Sequence, residues 1–358
     1  KHTKIVAVYG GANIQTQISQ LRKGAQIVVA TPGRLIDLIN RRCVDLSQTN
    51  YVVLDEADEM LNMGFQDDIN KILGGTPEDK VTWLFSATMP KEIRRISQQY
   101  MKDPFEITIG SANSSNENIE HHYYAVKGRD RYPALKRIVD FCPNVFAIIF
   151  CRTKLETQRI ADNLGRDGYN TDALHGDLSQ AQRDRVMGNF KNKTLQILVA
   201  TDVAARGIDV NEITHVINYG LPDDIESYTH RSGRTARAGK KGISLVLVDP
   251  RDMSKIKSLE RITKMSFEKK QVPSAEEVCN HQLGSSFSKI TDIEIDEKKI
   301  EKFIPMIDAA FENLSKEEII RKIATSEVSK IFASSKSYDL NISDSEFKSN
   351  SREERGGG

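Results

Sequence analysis

Four consecutive apolar residues, Tyr51-Val52-Val53-Leu54, stop abruptly at two carboxylates, Asp55 and Glu56, with Ala57-Asp58-Glu59-Met60 behind them. No other stretch constrains the fold as strongly. An unbroken apolar run of strand length predicts a strand covered on both faces, the habit of parallel sheets flanked by helices. In open α/β sheets of that kind, ligands collect beyond the carboxyl ends of the strands. Paired acids placed there suit a Mg²⁺ ion on a nucleotide's phosphates and a water that must be oriented for attack. An acidic helix start accounts for the same residues, because carboxylates are favoured at the positive end of the macrodipole. The stretch by itself leaves both readings open.

The flanking sequence repeats the alternation of strand and helix. Lys4–Tyr9 reads as a strand closing on Gly10-Gly11, Ile14–Arg22 has helical spacing, and Gln26–Ala30 is a second apolar run. Thr31-Pro32-Gly33-Arg34 opens a helix carrying Leu35, Leu38 and Ile39, and Val81–Phe85 is a strand ending in Ser86-Ala87-Thr88. This βαβα order predicts a parallel sheet with right-handed crossovers. A second α/β series has strands expected at Val145–Phe150, Thr171–Leu174, Ile197–Ala200, His215–Tyr219 and Ile243–Val248. Helices are expected between them at Leu155–Leu164 and Gln180–Phe190. Beyond Pro273 the pattern becomes helical: Ile300, Phe303, Ile304, Ile307, Phe311 and Leu314 share one face. Ser315-Lys316-Glu317-Glu318 is a capping box for one more helix.

The expected organisation is a first domain at 1–110, a small polar linker at 111–118 and a second domain at 119–268. A helical appendage at 273–333 and a disordered polar tail at 334–358 complete it. Two open sheets in series favour a ligand cleft between domains. With a net charge of +1, any contact with nucleic acid must come from local clusters of Arg and Lys. Cys43, Cys142, Cys151 and Cys279 form no CxxC pair and have no His at zinc spacing. That favours a reducing, cytoplasmic setting over a disulfide framework or a zinc site. No apolar run reaches the roughly 18 residues of a membrane span, so no membrane partner is expected.

Four further constellations carry chemistry. Thr31–Arg34 combines a hydroxyl, helix N-terminal N–H groups and a guanidinium, the parts of a phosphate site, although a Pro-Gly turn before a helix has the same composition. Gly10-Gly11 could admit a sugar-phosphate backbone closely, or simply turn the chain. Thr201–Val210 places small residues, Arg206 and the acids Asp202 and Asp209 after a strand. His230–Gly239 carries Arg231, Arg234 and Arg237 at a spacing of three. On one helical face these cations repel unless an anion lies across them, and Arg clamps phosphate bidentately. A solvated basic face is the plainer account.

Asp55-Glu56-Ala57-Asp58 spells the signature of the DEAD-box ATP-dependent RNA helicases, and the other motifs stand in that family's order. Thr31–Arg34 resembles its RNA-backbone motif, and Ser86-Ala87-Thr88 the motif coupling hydrolysis to unwinding. Ile148–Lys154 is similar to the first motif of the second RecA-like domain, and His175-Gly176-Asp177 with Gln180 and Arg183 to the next. Ala200–Val210 and His230–Gly239 resemble the last two. The matches run from about Gly10 to Gly239.

The resemblance implies two tandem RecA-like parallel-sheet domains, the first incomplete, with ATP and Mg²⁺ as cofactors and RNA as partner. It implies that Asp55 holds Mg²⁺ through water, that Glu56 is the general base and that Arg234 and Arg237 are arginine fingers. Gly207 and Asp209 would meet the nucleotide, while Asp58, Ser86, Thr88 and His230 would couple the domains. Gly11, Thr31, Gly33, Arg34, Arg152, Gly176, Arg183 and Thr201 would touch the RNA backbone, so binding would be largely independent of sequence.

Ser232 and Ala236 are mild departures from the family pattern. The larger one is an absence. No Gly-Lys-Ser/Thr occurs, since Gly239-Lys240 is followed by Lys241, and the adenine-reading Gln motif is also missing. A phosphate-cradling loop is central to ATP binding, so the chain as given is expected to be inactive and to be a piece, cut at both ends, of a complete helicase. The helical appendage resembles the extension of bacterial cold-shock DEAD-box helicases, which implies a homodimer. A non-catalytic RNA-binding or assembly protein is the competing reading. Intact Asp55, Glu56, Arg234 and Arg237 favour the enzyme.

Overall fold

The computed structural model describes residues 3–108, 117–142, 144–333 and 338–342. They divide into two compact units, Lys1–Ser114 with Ser179–Ala181, and Ser115–Leu178 with Gln182–Gly358. Most of the expected linker lies outside the described residues.

In the first unit the order is β1 (Ile5–Val8), α1 (Ile14–Arg22), β2 (Ile27–Ala30), α2 (Pro32–Asn40), β3 (Tyr51–Leu54), α3 (Ala57–Asn62), α4 (Gln66–Gly74), β4 (Val81–Leu84) and α5 (Lys91–Tyr100). β1 pairs with β2 and β3 with β4, both in parallel, as two separate pairs rather than the single sheet the alternation predicts. Leu54 packs with Ala57, Ile69, Leu73, Ile93 and Ile96 from the three helices that follow. The strand expected to be covered on both faces is covered on one: Tyr51 is 64% exposed and Val53 52%. The two-residue period sends alternate side chains to opposite faces. Among the described residues the helices occupy only the side of Leu54.

The second unit holds a seven-stranded, all-parallel sheet: β5 (Ile119–Ala125), β6 (Ala147–Phe150), β7 (Thr171–Leu174), β8 (Ile197–Ala200), β9 (His215–Asn218), β10 (Gly242–Val248) and β11 (Phe267–Lys270). Their spatial order is β11-β5-β10-β9-β6-β8-β7. Helices α6 (Arg131–Phe141), α7 (Lys154–Arg166), α8 (Gln180–Lys191), α9 (Asp202–Ala205), α10 (Ile225–Ser232) and α11 (Met253–Thr263) connect them. Here the apolar runs are covered on both faces. Ala147 and Ile149 enter one core with Ile197 and Val199, whereas Ile148 and Phe150 enter a second with Leu198 and Ala200. β5 and β11, which the apolar pattern does not announce, add the outer part of the sheet.

β5 brings a histidine into the interior. His121 is 5% exposed, and its Nδ1 lies 2.7 Å from the Tyr228 hydroxyl, itself 3.0 Å from Ser244 Oγ. Burial pushes the imidazoles of His121 and His215 down to about 4, with the neighbouring His122 as the second cause. His122 is lowered by burial and by Lys270, against the pull of Glu268 and Glu120. Below the ordinary value of 6.5 the unfolded chain binds protons that the fold refuses. Stability is therefore full above that pH and is lost as pH falls towards 4. The loss is about 1.4 kcal/mol per such histidine per pH unit. Melting at pH 7.5 and pH 5 should show this drop, and His121→Gln should flatten it. An unchanged slope in the variant would remove His121 from the account.

The appendage begins with α12 (Ala275–Thr291), opened by a capping box between Ser274 and Glu277. α12 lies on α6: Gln282 donates to the Asp140 carbonyl at 3.2 Å, and the rings of His281 and Phe141 are 4.7 Å apart. α13 (Glu297–Ile300), α14 (Ile304–Phe311) and α15 (Lys316–Ala333) follow. The capping box at Ser315 forms, with Glu318 N–H donating to Ser315 Oγ at 3.2 Å. The single apolar face expected from Ile300 to Leu314 is broken, because a 3₁₀ turn at Glu301–Phe303 separates α13 from α14 and Pro305 fills the first turn of α14. A proline there lacks the N–H that a continuous helix would use.

The tail also departs from expectation. Leu340 (3% exposed) and Ile342 (7%) are both buried, Leu340 in the core that holds Leu135 and Val139. The rest of the tail, 334–337 and 343–358, lies outside the described residues.

Candidate functional site

The chain leaves β3 through Asp55 and Glu56, both exposed. Glu56 N–H donates to Asp55 Oδ1 at 3.0 Å. Glu56 is the N-cap of α3 in the left-handed region, φ 51° and ψ 47°. Such strain costs roughly 1–3 kcal/mol and persists where the surroundings fix it. Asp58, 1% exposed, does the fixing. Its Oδ2 accepts from Thr88 N–H and Thr88 Oγ1, each at 2.8 Å, and its Oδ1 accepts from Glu59 N–H at 3.0 Å. Its own N–H donates to Ser86 Oγ at 3.2 Å, while the Ser86 hydroxyl donates to the Thr88 carbonyl at 2.6 Å. The acidic stretch and the Ser-Ala-Thr loop are thus one hydrogen-bonded piece, and three of the expected coupling residues sit in it.

Thr31 caps α2 in an extended conformation without a side-chain hydrogen bond, and Pro32 takes the first helical position. Space for a Cβ at Gly33 is open to at least 4 Å, so the helix N-terminus is approachable. Arg34 donates to the Ala12 carbonyl at 3.2 Å and to Gln17 Oε1 at 2.8 Å. Gln17 in turn donates to the Tyr9 carbonyl at 3.1 Å. Arg34 therefore ties the Thr31–Arg34 motif to the glycine turn, where Gly11 takes φ 80°. Hydroxyl, helix N-terminus and glycine turn form one edge suited to a phosphate backbone.

In the second unit the expected residues gather beyond the carboxyl ends of β6, β7 and β8. Arg152, exposed, is paired with Asp223. Gly176 has open space around it, Thr201 is the N-cap of α9, and Arg183 is half-buried in the first turn of α8. Arg237 donates to Asp209 Oδ1 at 3.0 Å and to the Gly233 carbonyl at 3.2 Å, and Arg234 donates to the Ile208 carbonyl at 3.1 Å. Gly207, at φ 68°, turns the loop that carries Asp209. His230 sits half-buried in the last turn of α10.

The three arginines do not share one helical face. α10 ends at Ser232 with Gly233 as its C-cap, and Ala236 at φ 55° redirects the chain before Arg237. The turn is fixed from below, since a Cβ at Gly242 would stand 2.2 Å from Thr235 Oγ1. Arg231 leaves the row altogether. Its side chain is 2% exposed, bonded to both Asp202 carboxylate oxygens at 2.5 and 2.6 Å and to Asn218 Oδ1 at 2.9 Å. Its guanidinium lies 5.1 Å from the centre of the Phe150 ring. This brace joins β6, β9, α9 and α10, and the sequence reading missed it. An acid in the next strand-end loop, opposite a row of arginines, is the signal that would have found it.

Two parallel α/β units, one with an acid pair locked to its neighbouring loop and one with arginines at its strand ends, are the parts of a helicase core. The description "DEAD/DEAH box helicase" covers residues 1–96, "Helicase conserved C-terminal domain" covers 131–239, and "Probable ATP-dependent RNA helicase, helical domain" covers 278–336. The chain belongs to the DEAD-box helicase family. It is 44% identical over 293 residues to the ATP-dependent RNA helicase CshA of Limosilactobacillus reuteri, with 82% of this chain and 59% of that protein covered. It is 43% identical over 317 residues to the ATP-dependent RNA helicase DeaD of Mycobacterium tuberculosis, with 86% and 56% covered. The chain thus spans a little over half the length of these relatives. Among solved structures, Mss116p bound to ssRNA and AMP-PNP is similar at a TM-score of 0.67 and 26% identity, with 99% of this chain and 73% of that one covered. S. cerevisiae Dbp5 bound to RNA and ADP BeF3 has the same fold at a TM-score of 0.68 and 24% identity, with 78% and 81% covered.

Proposed function

We propose that the whole protein is an ATP-dependent RNA helicase that grips RNA by its backbone and unwinds short duplexes locally. The observation that carries this reading is the Asp55–Glu56 pair at the end of β3, joined through Asp58 to Ser86 and Thr88. The donor set fits a nucleotide-borne Mg²⁺. Among the described residues no three acids, histidines or cysteines cluster as a metal cage, and Mg²⁺ on phosphates needs only one or two carboxylates. When bound, the nucleotide would supply the phosphoanhydride bond whose cleavage resets the grip, and its Mg²⁺ would offset the negative charge of the phosphates. Asp55 would hold the ion through water, and Glu56 would orient the attacking water and take its proton. Arg234 and Arg237, with Gly207 and Asp209, would steady developing negative charge from the second domain. His230 would join Asp58 in the coupling.

Gly11, Thr31, Gly33, Arg34, Arg152, Gly176, Arg183 and Thr201 would hold sugar and phosphate, so affinity should not depend on base sequence. The 358-residue chain contains no Gly-Lys-Ser/Thr loop, so hydrolysis is assigned to the whole protein rather than to this stretch. Four free thiols fit a reducing cytoplasm. Homodimerisation through the appendage is supported by the exposure of Phe303 (47%), Met306 (68%) and Ile320 (55%). The test is RNA-stimulated ATP hydrolysis by the whole protein. Stimulation by RNA well above that by DNA of the same sequence is expected, and equal stimulation overturns the RNA assignment.

A further inference from the structure

The tail offers little to bury. Between 334 and 358 its large apolar residues are Tyr338, Leu340, Ile342 and Phe347. The first three alternate in sequence, and they fall in the stretch seated on the second unit. Leu340 joins the core that contains Leu135, Val139 and Val272. Asn341 uses its side-chain amide as a strand would use its backbone: Val272 N–H donates to its Oδ1 at 2.7 Å, and its Nδ2 donates to the Val272 carbonyl at 3.0 Å. Asp339 Oδ1 steadies that amide, accepting from Asn341 N–H at 2.9 Å and from Nδ2 at 3.0 Å. The Tyr338 hydroxyl donates to Asp130 Oδ1 at 3.2 Å.

Arg137 of α6, 4% exposed, donates to the Tyr338 carbonyl at 2.8 Å and to the Pro273 carbonyl at 3.4 Å. A guanidinium taken so far from water needs acceptors. One of them lies where the appendage begins, and another where the chain returns from it. An apolar socket, a two-sided amide contact and a carbonyl held by a buried cation read three features of a short peptide at once, which is more than generic stickiness would supply.

We propose that Tyr338–Ile342 is a docking motif of this chain and that the groove formed by α6, Val272 and Pro273 is its recognition site. The motif clasps the helical appendage at both ends to one surface of the second domain. Held in cis, the segment competes at an effective concentration in the millimolar range. The groove of the intact chain is therefore closed to the same peptide added from outside, and releasing the clasp opens it.

The experiment uses the full chain, a Leu340→Asp variant, and a fluorescent synthetic peptide with the sequence of residues 334–344. The peptide should bind Leu340→Asp with micromolar affinity and the unaltered chain at least ten-fold more weakly. Amide exchange at Val272 should be faster in the variant without peptide and slow again with it. Binding to neither chain overturns the recognition site, and equal binding to both overturns the clasp. If Leu340→Asp loses its far-UV signature, Asn341→Asp makes the same comparison, because a carboxylate cannot donate to the Val272 carbonyl.

Discussion

Arg231→Ala should cost the second domain about 3–5 kcal/mol, the range found when one member of a buried ion pair is removed. Three things are lost together: the two-oxygen contact with Asp202, the donor to the fully buried Asn218, and the cation over Phe150. Domains of this size hold only about 5–15 kcal/mol in total, so the variant should sit close to its unfolding threshold at ambient temperature. Urea titration checks this, with the midpoint falling and the slope unchanged. Arg231→Lys should recover little, because an ammonium cannot reproduce the planar fork. A shift below about 1 kcal/mol would mean that the brace is replaceable. Under the proposed function the result also separates Arg231 from its neighbours: in the whole protein, Arg234→Ala and Arg237→Ala should leave the midpoint nearly in place while abolishing turnover.

Glu56→Gln in the whole protein should lower ATP turnover by about 10²–10⁴-fold, the usual contribution of a positioned general base. The amide still accepts a hydrogen bond but cannot take up a proton, so RNA affinity in the presence of a non-hydrolysable nucleotide should remain. Glu56 has no side-chain capping duty in α3, and glutamine matches its shape, so folding should be unaffected. Phosphate release and RNA anisotropy measured on one preparation make the distinction. Turnover at the normal rate would take Glu56 out of the mechanism.

What could be read in advance followed from how local each feature is. β6, β8 and β10 are recognisable because burial on both faces demands an unbroken apolar run. β5, Ile119-Glu120-His121-His122-Tyr123-Tyr124-Ala125, hides its inward residues among histidines and tyrosines, whose burial rests on partners distant in sequence such as Tyr228 and Phe267. β11 escapes for another reason. It is an edge strand, Phe267-Glu268-Lys269-Lys270, carrying the charge that protects edges from unwanted pairing. The site follows the same rule. Asp55, Glu56, Thr31 and Gly207 belong to contiguous motifs whose spacing can be read directly. That Arg231 turns inward to Asp202 and Asn218, while Arg237 turns to Asp209, is decided by where α10 stops, and no spacing rule states that.

The one-sided cover of β3 and β4 has a thermodynamic consequence. The second unit encloses three buried clusters spread over both faces of seven strands, whereas the first rests on two small clusters beneath two strand pairs. Cooperative melting follows the size and continuity of buried contacts. This stretch of chain should therefore open in stages, with the first unit loosening well before the second. A single Tm assigned to it would average two different events. Tyr51, Val53 and Trp83 are exposed already, and the early event would add unpaired strand edges beside them, a template for association between molecules. Heating this stretch would then end in precipitate rather than in reversible unfolding, with the second domain still folded inside it.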